Sequence, residues 1–436
     1  MMNRRRKSKK NGKIILMALI FGVLLGSGIS AWTLTAGNKE KEQGAGKLAG
    51  TDQTAEKSEK TVPEKPAVLG GKKEEKVKPA AQATFNQKDM EIEEKVDALV
   101  KRMTLQEKVG QMMVVGFGTK APDAHIKKMI EEYKAGGVIY YDRNMETRAQ
   151  VGKLTQDLQA MAVRSRLQIP LMVSVDQEGG SIVRMKEQVS PIPSQQALGG
   201  ENKARKVYSI AARTGKELLG MGINVNYAPV LDLSDTDTRS FGSDPAKTGE
   251  FGAQVVKGLI SSGMAATLKH FPGNGRSNID PHVETSSVHA DKVDLESKDI
   301  FPFTKIIKEM DNDKFFVMVT HIKYPAYDKV NPASTSPVII DGLLRRQLGY
   351  KGIVVTDDLE MGAVSKYIDY KDLGVKAIQA GADLLLVCHT LQYQEEVFHG
   401  IISAVKAGHI AEDRIDEAVA RILRFKLKNP QIMQIQ

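Results

Sequence analysis

The sequence predicts an α/β fold: a single (β/α)8 TIM-like barrel, preceded by an N-terminal transmembrane segment and a disordered linker. Eight short apolar runs recur from residue 109 onward, helix-like segments lie between most of them, and polar residues collect where the runs end. A parallel strand covered on both faces reads as a continuous apolar run. A barrel gathers its reactive side chains at the carboxyl ends of such strands.

The runs are Val109–Phe117, Gly137–Tyr141, Leu171–Asp176, Ile223–Val230, Ala265–His270, Phe315–His321, Ile353–Asp357 and Leu384–Cys388. Ala204–Leu219, Thr248–Ser262 and Tyr370–Ala380 read as intervening helices. An open doubly wound sheet is the competing architecture, but no Gly-x-Gly-x-x-Gly turn follows the first run and no phosphate loop occurs. A last helix, Arg414–Lys428, would close the barrel, so residues 89–430 are expected to form one catalytic domain.

Ahead of it, residues 1–13 carry seven Lys or Arg and no acid. Removing these from the net charge of +9 leaves +2, so the basic balance is local and gives no support for nucleic-acid binding. Residues 14–36 form 23 consecutive uncharged positions, enough for a helix to span a bilayer. The basic flank orients the N-terminus inward, as an uncleaved anchor or a signal peptide, and no Cys is near for a lipid anchor. Residues 37–88, rich in Lys, Glu, Ala, Gly and Pro, have too little apolar surface to fold and read as a disordered linker. The single Cys388 rules out an intramolecular disulfide and reads as a core residue. The expectation is a monomeric, extracytoplasmic protein of the bacterial cell surface.

Polar residues end five runs: Asp176-Gln177-Glu178, Asp232, Lys269-His270, Thr320-His321 and Asp357-Asp358. Carboxylates, an imidazole and cations on one barrel face suit glycosidic bond cleavage, which needs a nucleophilic carboxylate and a proton donor. Asp357, the first residue off its strand, is the candidate nucleophile. Asp358 would orient it, pair with a cation, or cap a helix beginning near Leu359. Asp280 and His282 are two apart, so the carboxylate could support an imidazole acid/base; the plainer alternative is a surface-loop histidine. His270, His282, His289 and His321 could in principle converge on a metal. No HExxH pairing occurs, however, and Lys269 would oppose a divalent cation, so no metal is expected.

Taken together, the blocks Gly136–Ile139, Val175–Gly180, Asn226–Asp232, Arg239–Gly242, Lys269–Gly273, Val319–His321, Thr356–Met361 and Ala380–Asp383 resemble glycoside hydrolase family 3, in its β-N-acetylglucosaminidase branch. The resemblance runs over nearly all of Met103–Phe425. It implies a retaining mechanism with Asp357 as nucleophile, His282 as acid/base and Asp280 as its partner. It also implies that Asp176, Arg184, Arg239, Lys269 and His270 hold the terminal sugar, with no cofactor. The sequence departs from the family pattern at Asn274 and Arg276, where Pro-Gly-His-Gly-Asp is usual, and at Ser181, where Arg is usual.

The expected activity is exo-β-N-acetylglucosaminidase, acting on cell-wall fragments, muropeptides or related amino-sugar oligosaccharides. The alternatives are a β-glucosidase, an N-acetylglucosaminide phosphorylase, or a catalytically weak wall-glycan-binding protein.

Overall fold

The computed structural model describes residues 83–87, 89–277, 282 and 284–429. These residues belong to one unit, Glu75–Gln436. The predicted basic flank, membrane segment and most of the linker lie outside the described residues. Among the described residues, no helix is long and apolar enough to cross a membrane.

Among the described residues eight strands form: β1 Met113–Val115, β2 Gly137–Tyr140, β3 Met172–Val175, β4 Val225–Asn226, β5 Ala266–Phe271, β6 Phe315–Val319, β7 Val354–Asp358 and β8 Leu384–Val387. Each falls within or overlaps a predicted run. All pairings are parallel, in the order β4-β3-β2-β1-β8-β7-β6-β5. The end strands meet through bridges Val225–Ala265 and Val230–Lys269, and Leu231 N donates to Lys269 O at 2.6 Å. The sheet therefore closes into a barrel instead of staying open. β4 is short because Pro229 has no N–H to give the ladder, so isolated bonds replace regular pairing there.

The helices Ala204–Leu219 and Tyr370–Ala380 have their predicted bounds. The one expected from Thr248 starts at Pro245, because the Asp244 carboxylate accepts from Ala246 N (2.8 Å) and Lys247 N (3.2 Å) and proline suits a first helical turn. The last helix, Glu412–Lys428, packs Phe425 edge-on against Phe316 of β6, with ring centroids 4.7 Å apart. Folded chain begins ahead of residue 89: Phe85 is fully buried and its N–H donates to Leu167 O at 3.0 Å. One aromatic in a polar stretch is enough to anchor the segment.

Two buried charged side chains with internal partners sit at the amino end of the barrel. Buried Lys426 donates to Gln111 Oε1 (2.8 Å), Gly136 O (2.8 Å) and Pro170 O (2.7 Å), all just ahead of β1, β2 or β3. Buried Asp383, directly before β8, pairs with Arg345, Arg414 and Arg421 and accepts from Val354 N. Buried Cys388 ends β8 at the other face. The carboxyl end carries an open cavity.

Candidate active site

A cavity of about 810 Å³ opens at the carboxyl ends of the strands. It brings together Asp176, Arg184, Arg239, Lys269, His270, His282 and Asp357. Asp280 lies outside the described residues. The lining also includes Asp358, expected to orient Asp357 or pair with a cation, and Glu178, Asp232 and His389, to which the sequence assigns no binding or catalytic role.

The wall following β3, β4 and β5 is an interlocked set of charges. Lys269 Nζ contacts Asp176 Oδ1 (2.7 Å) and Glu178 Oε1 (2.6 Å), and Arg239 grips Glu178 through Nε (2.7 Å) and Nη2 (2.9 Å). Burial opposes charge on Glu178, yet Lys269 and Arg239 outweigh it and hold the carboxyl down at about 2. Burial also opposes the Lys269 ammonium, but Asp176 and Glu178 hold its pKa above the ordinary value. An ammonium has three N–H donors, so two carboxylates leave Lys269 one for a ligand. Asp176, whose side chain is 19% exposed, keeps oxygen surface open to the cavity.

Local folding sets each of these groups. The register of β5 on β6 shifts between Leu268 and Phe271, and both Lys269 and His270 line the cavity. Asp232 holds His270 twice: Oδ2 lies 2.7 Å from the ring Nδ1 and Oδ1 accepts the backbone N–H at 3.2 Å. Burial pushes the Asp232 carboxyl up, but His270 and the backbone donors bring it below its ordinary value. Gln195 Nε2 fixes Arg239 by donating to its carbonyl at 2.6 Å, while Ser240 donates to Asp232 O at 2.7 Å. Arg184 pairs with Asp142 (2.9 Å) and lies 5.3 Å from the Tyr141 ring centre; its buried Nε has no hydrogen-bond partner among the described residues.

Asp357 stands near the end of β7, half-buried and lining the cavity. Burial raises its carboxyl pKa, but His270, Lys269 and the Asp358 N–H (2.9 Å) together lower it below the ordinary value. The group is therefore ionised at neutral pH. Thr320 and His321 do not line the cavity. His321 is fully buried behind it, with Nδ1 2.7 Å from Ser334 Oγ and Nε2 2.9 Å from Asp358 O, where it steadies the end of β7. Burial lowers the His321 pKa, which favours the neutral ring.

Asp358 turns away from this task. It accepts from Glu360 N (3.1 Å) and Cys388 N (3.2 Å) and contacts His389 Nε2 (3.1 Å), so it ties β7 to the end of β8. It does not cap a helix: the next one, Gly362–Ser365, has Met361 at its N-cap.

His282 is exposed, lines the same cavity, and its carbonyl accepts from Gly362 N at 3.2 Å. That bond links the histidine to the chain just beyond Asp357. Arg276 has a clear structural role, pairing with Asp294 and Asp299. Asn274 contributes only its backbone N–H, which donates to Asp232 Oδ1 (2.7 Å); its side-chain Oδ1 has no hydrogen-bond partner among the described residues. Ser181 is exposed and touches none of this.

The fold and this cavity define a parallel α/β barrel with an ionised aspartate and a wall of paired charges in one cavity. The chain belongs to glycosyl hydrolase family 3: the model of that family's N terminal domain matches residues 104–425. It is 31% identical to beta-hexosaminidase A of Pseudoalteromonas piscicida over 333 residues, 70% of this chain and 55% of the relative. Identity is 34% to a beta-hexosaminidase of Hydrogenovibrio crunogenus, covering 63% of this chain and 77% of the relative. The solved family 3 beta-N-acetylglucosaminidase of Paenibacillus sp. str. FPU-7 superposes with a TM-score of 0.73 at 37% identity, covering 76% of this chain and 63% of that one. The chain thus spans about half the length of the first relative and under two thirds of the Paenibacillus protein.

Proposed function

We propose that this protein is a retaining exo-β-N-acetylglucosaminidase. The observation that carries the reading is the meeting, in one cavity, of ionised Asp357, the Asp176–Lys269–Glu178–Arg239 wall and His282. The beta-hexosaminidase relatives support the substrate class.

In the first step Asp357 attacks the anomeric carbon, the bond to the leaving oxygen breaks, and His282 gives that oxygen its proton. In the second, neutral His282 takes a proton from water, whose oxygen attacks the anomeric carbon and releases Asp357. Asp280 would support the imidazole. Asp176, Arg184, Arg239, Lys269 and His270 would bind the terminal sugar's hydroxyls through charge-assisted hydrogen bonds. The substrate proposed is a cell-wall fragment or related amino-sugar glycan. The uncharged N-terminal run supports an extracytoplasmic, membrane-anchored or secreted protein.

The test is incubation of the purified chain with para-nitrophenyl N-acetyl-β-glucosaminide and the matching glucoside, with and without phosphate. Release from the N-acetyl compound alone, unchanged by phosphate, is expected. Turnover of the glucoside at equal rate, or dependence on phosphate, overturns the assignment.

A further inference from the structure

The chain leaves the sugar-binding wall at Gly273 and reaches His282 nine positions on. The first part of that path is fixed at every step. Tyr324 Oη donates to Gly273 O at 2.7 Å, and Asn274 N donates to Asp232 Oδ1 at 2.7 Å. A Cβ on Gly275 would sit 1.8 Å from Leu233 O, so this position is wedged against the chain after β4 and accepts no side chain. Arg276 then spans two carboxylates, Asp294 Oδ2 at 2.6 Å and Asp299 Oδ2 at 2.8 Å, on the segment 294–299. The Asp299 side chain is 1% exposed and its Oδ1 has no hydrogen-bond partner among the described residues, so Arg276 is its principal compensation.

Directly after Arg276 the two arms of the loop meet. Ser277 Oγ lies 2.8 Å from Ser286 Oγ, and the returning arm is bridged to Lys323: Lys323 N donates to Ser286 O and Val288 N to Lys323 O, each at 2.9 Å. Glu284 accepts from the Tyr367 hydroxyl and faces Lys366.

We infer that Arg276 is a positioning residue for His282: its grip on Asp294 and Asp299 locks the neck from which the acid/base loop springs. A guanidinium suits this task because its planar donors can serve two carboxylates at once. Misplacing a proton donor by about 1 Å costs on the order of a hundredfold in rate, so a fixed neck has catalytic value. The inference rests on the proposed acid/base role of His282.

The experiment compares the full chain with Arg276→Ala and Arg276→Lys, on 2,4-dinitrophenyl and phenyl N-acetyl-β-glucosaminides. Dinitrophenolate departs without protonation, whereas phenolate needs the acid, and kcat/KM reports the bond-breaking step for both. Arg276→Ala is expected to lower kcat/KM for the phenyl substrate by about tenfold or more and for the dinitrophenyl one by less than about twofold, with Lys restoring part of the loss. Equal loss on both substrates, or loss on neither, overturns the inference. Hydrogen exchange of residues 271–290 is read alongside, with no substrate present. Faster exchange in Arg276→Ala at the Ser277 and Val288 amides is expected, and unchanged exchange overturns the inference. An inert wild type would instead refute the proposed function and leave the exchange result to decide on the neck.

Discussion

Glu178 offers the sharpest test of the charged wall, through Glu178→Gln. Its side chain is 2% exposed and is held by Lys269 and by both prongs of Arg239. Those partners lower its pKa from the ordinary 4.5 to about 2. That gap of about 2.5 pH units corresponds to about 3 kcal/mol of stability at neutral pH. Because the folded-state value is depressed, the contribution is fully present above pH 4.5 and is lost as the pH falls toward 2. Glutamine keeps the shape and removes the charge. Urea unfolding at pH 7 should therefore find the variant about 3 kcal/mol less stable than wild type, with the difference falling to about half by pH 3. Equal stability at pH 7, or a difference that does not shrink with acid, would refute the claim that Glu178 is the anion binding Lys269 and Arg239 together.

Three other substitutions probe separate parts of the molecule. Asp357→Ala should lower kcat on the aryl N-acetylglucosaminide by at least about a thousandfold with an unchanged circular dichroism spectrum; substantial residual turnover would reject it as nucleophile. Lys426→Met leaves the acceptors of Gln111, Gly136 and Pro170 buried without a donor. It should cost about 2 to 4 kcal/mol in urea unfolding while leaving KM unaltered. Asp383→Asn weakens the anion shared by Arg345, Arg414 and Arg421 and should cost about 3 to 5 kcal/mol. In the wild type, burial opposes the Asp383 charge and the three arginines lower its pKa, so its contribution holds at neutral pH and fades as acid protonates the carboxyl.

What the sequence makes legible here follows from how each signal is encoded. Strands covered on both faces are apolar over most of their length, so all eight read as runs, even β4, where Pro229 interrupts regular pairing, although Ser174, Asn226 and Thr267 are buried polar positions within them. Asp357 and Lys269 were equally plain, because a charge at the carboxyl end of such a run sits at the barrel's open end. Glu178 carried a weaker signal: it stands beyond the end of β3, two positions after Asp176, and its meaning depends on Arg239, 61 residues away. His321 shows the opposite error. It ends a strand like the others, yet the ring is buried behind Asp357, because both its nitrogens find partners there. Arg276 looked like a departure from a family pattern, and its sense emerges only once Asp299, 23 residues later, is seen buried beside it. In each of these cases the residue type was readable and the partner was not. A buried charge is fixed by what it faces, and on a closed barrel that partner comes from another strand's loop.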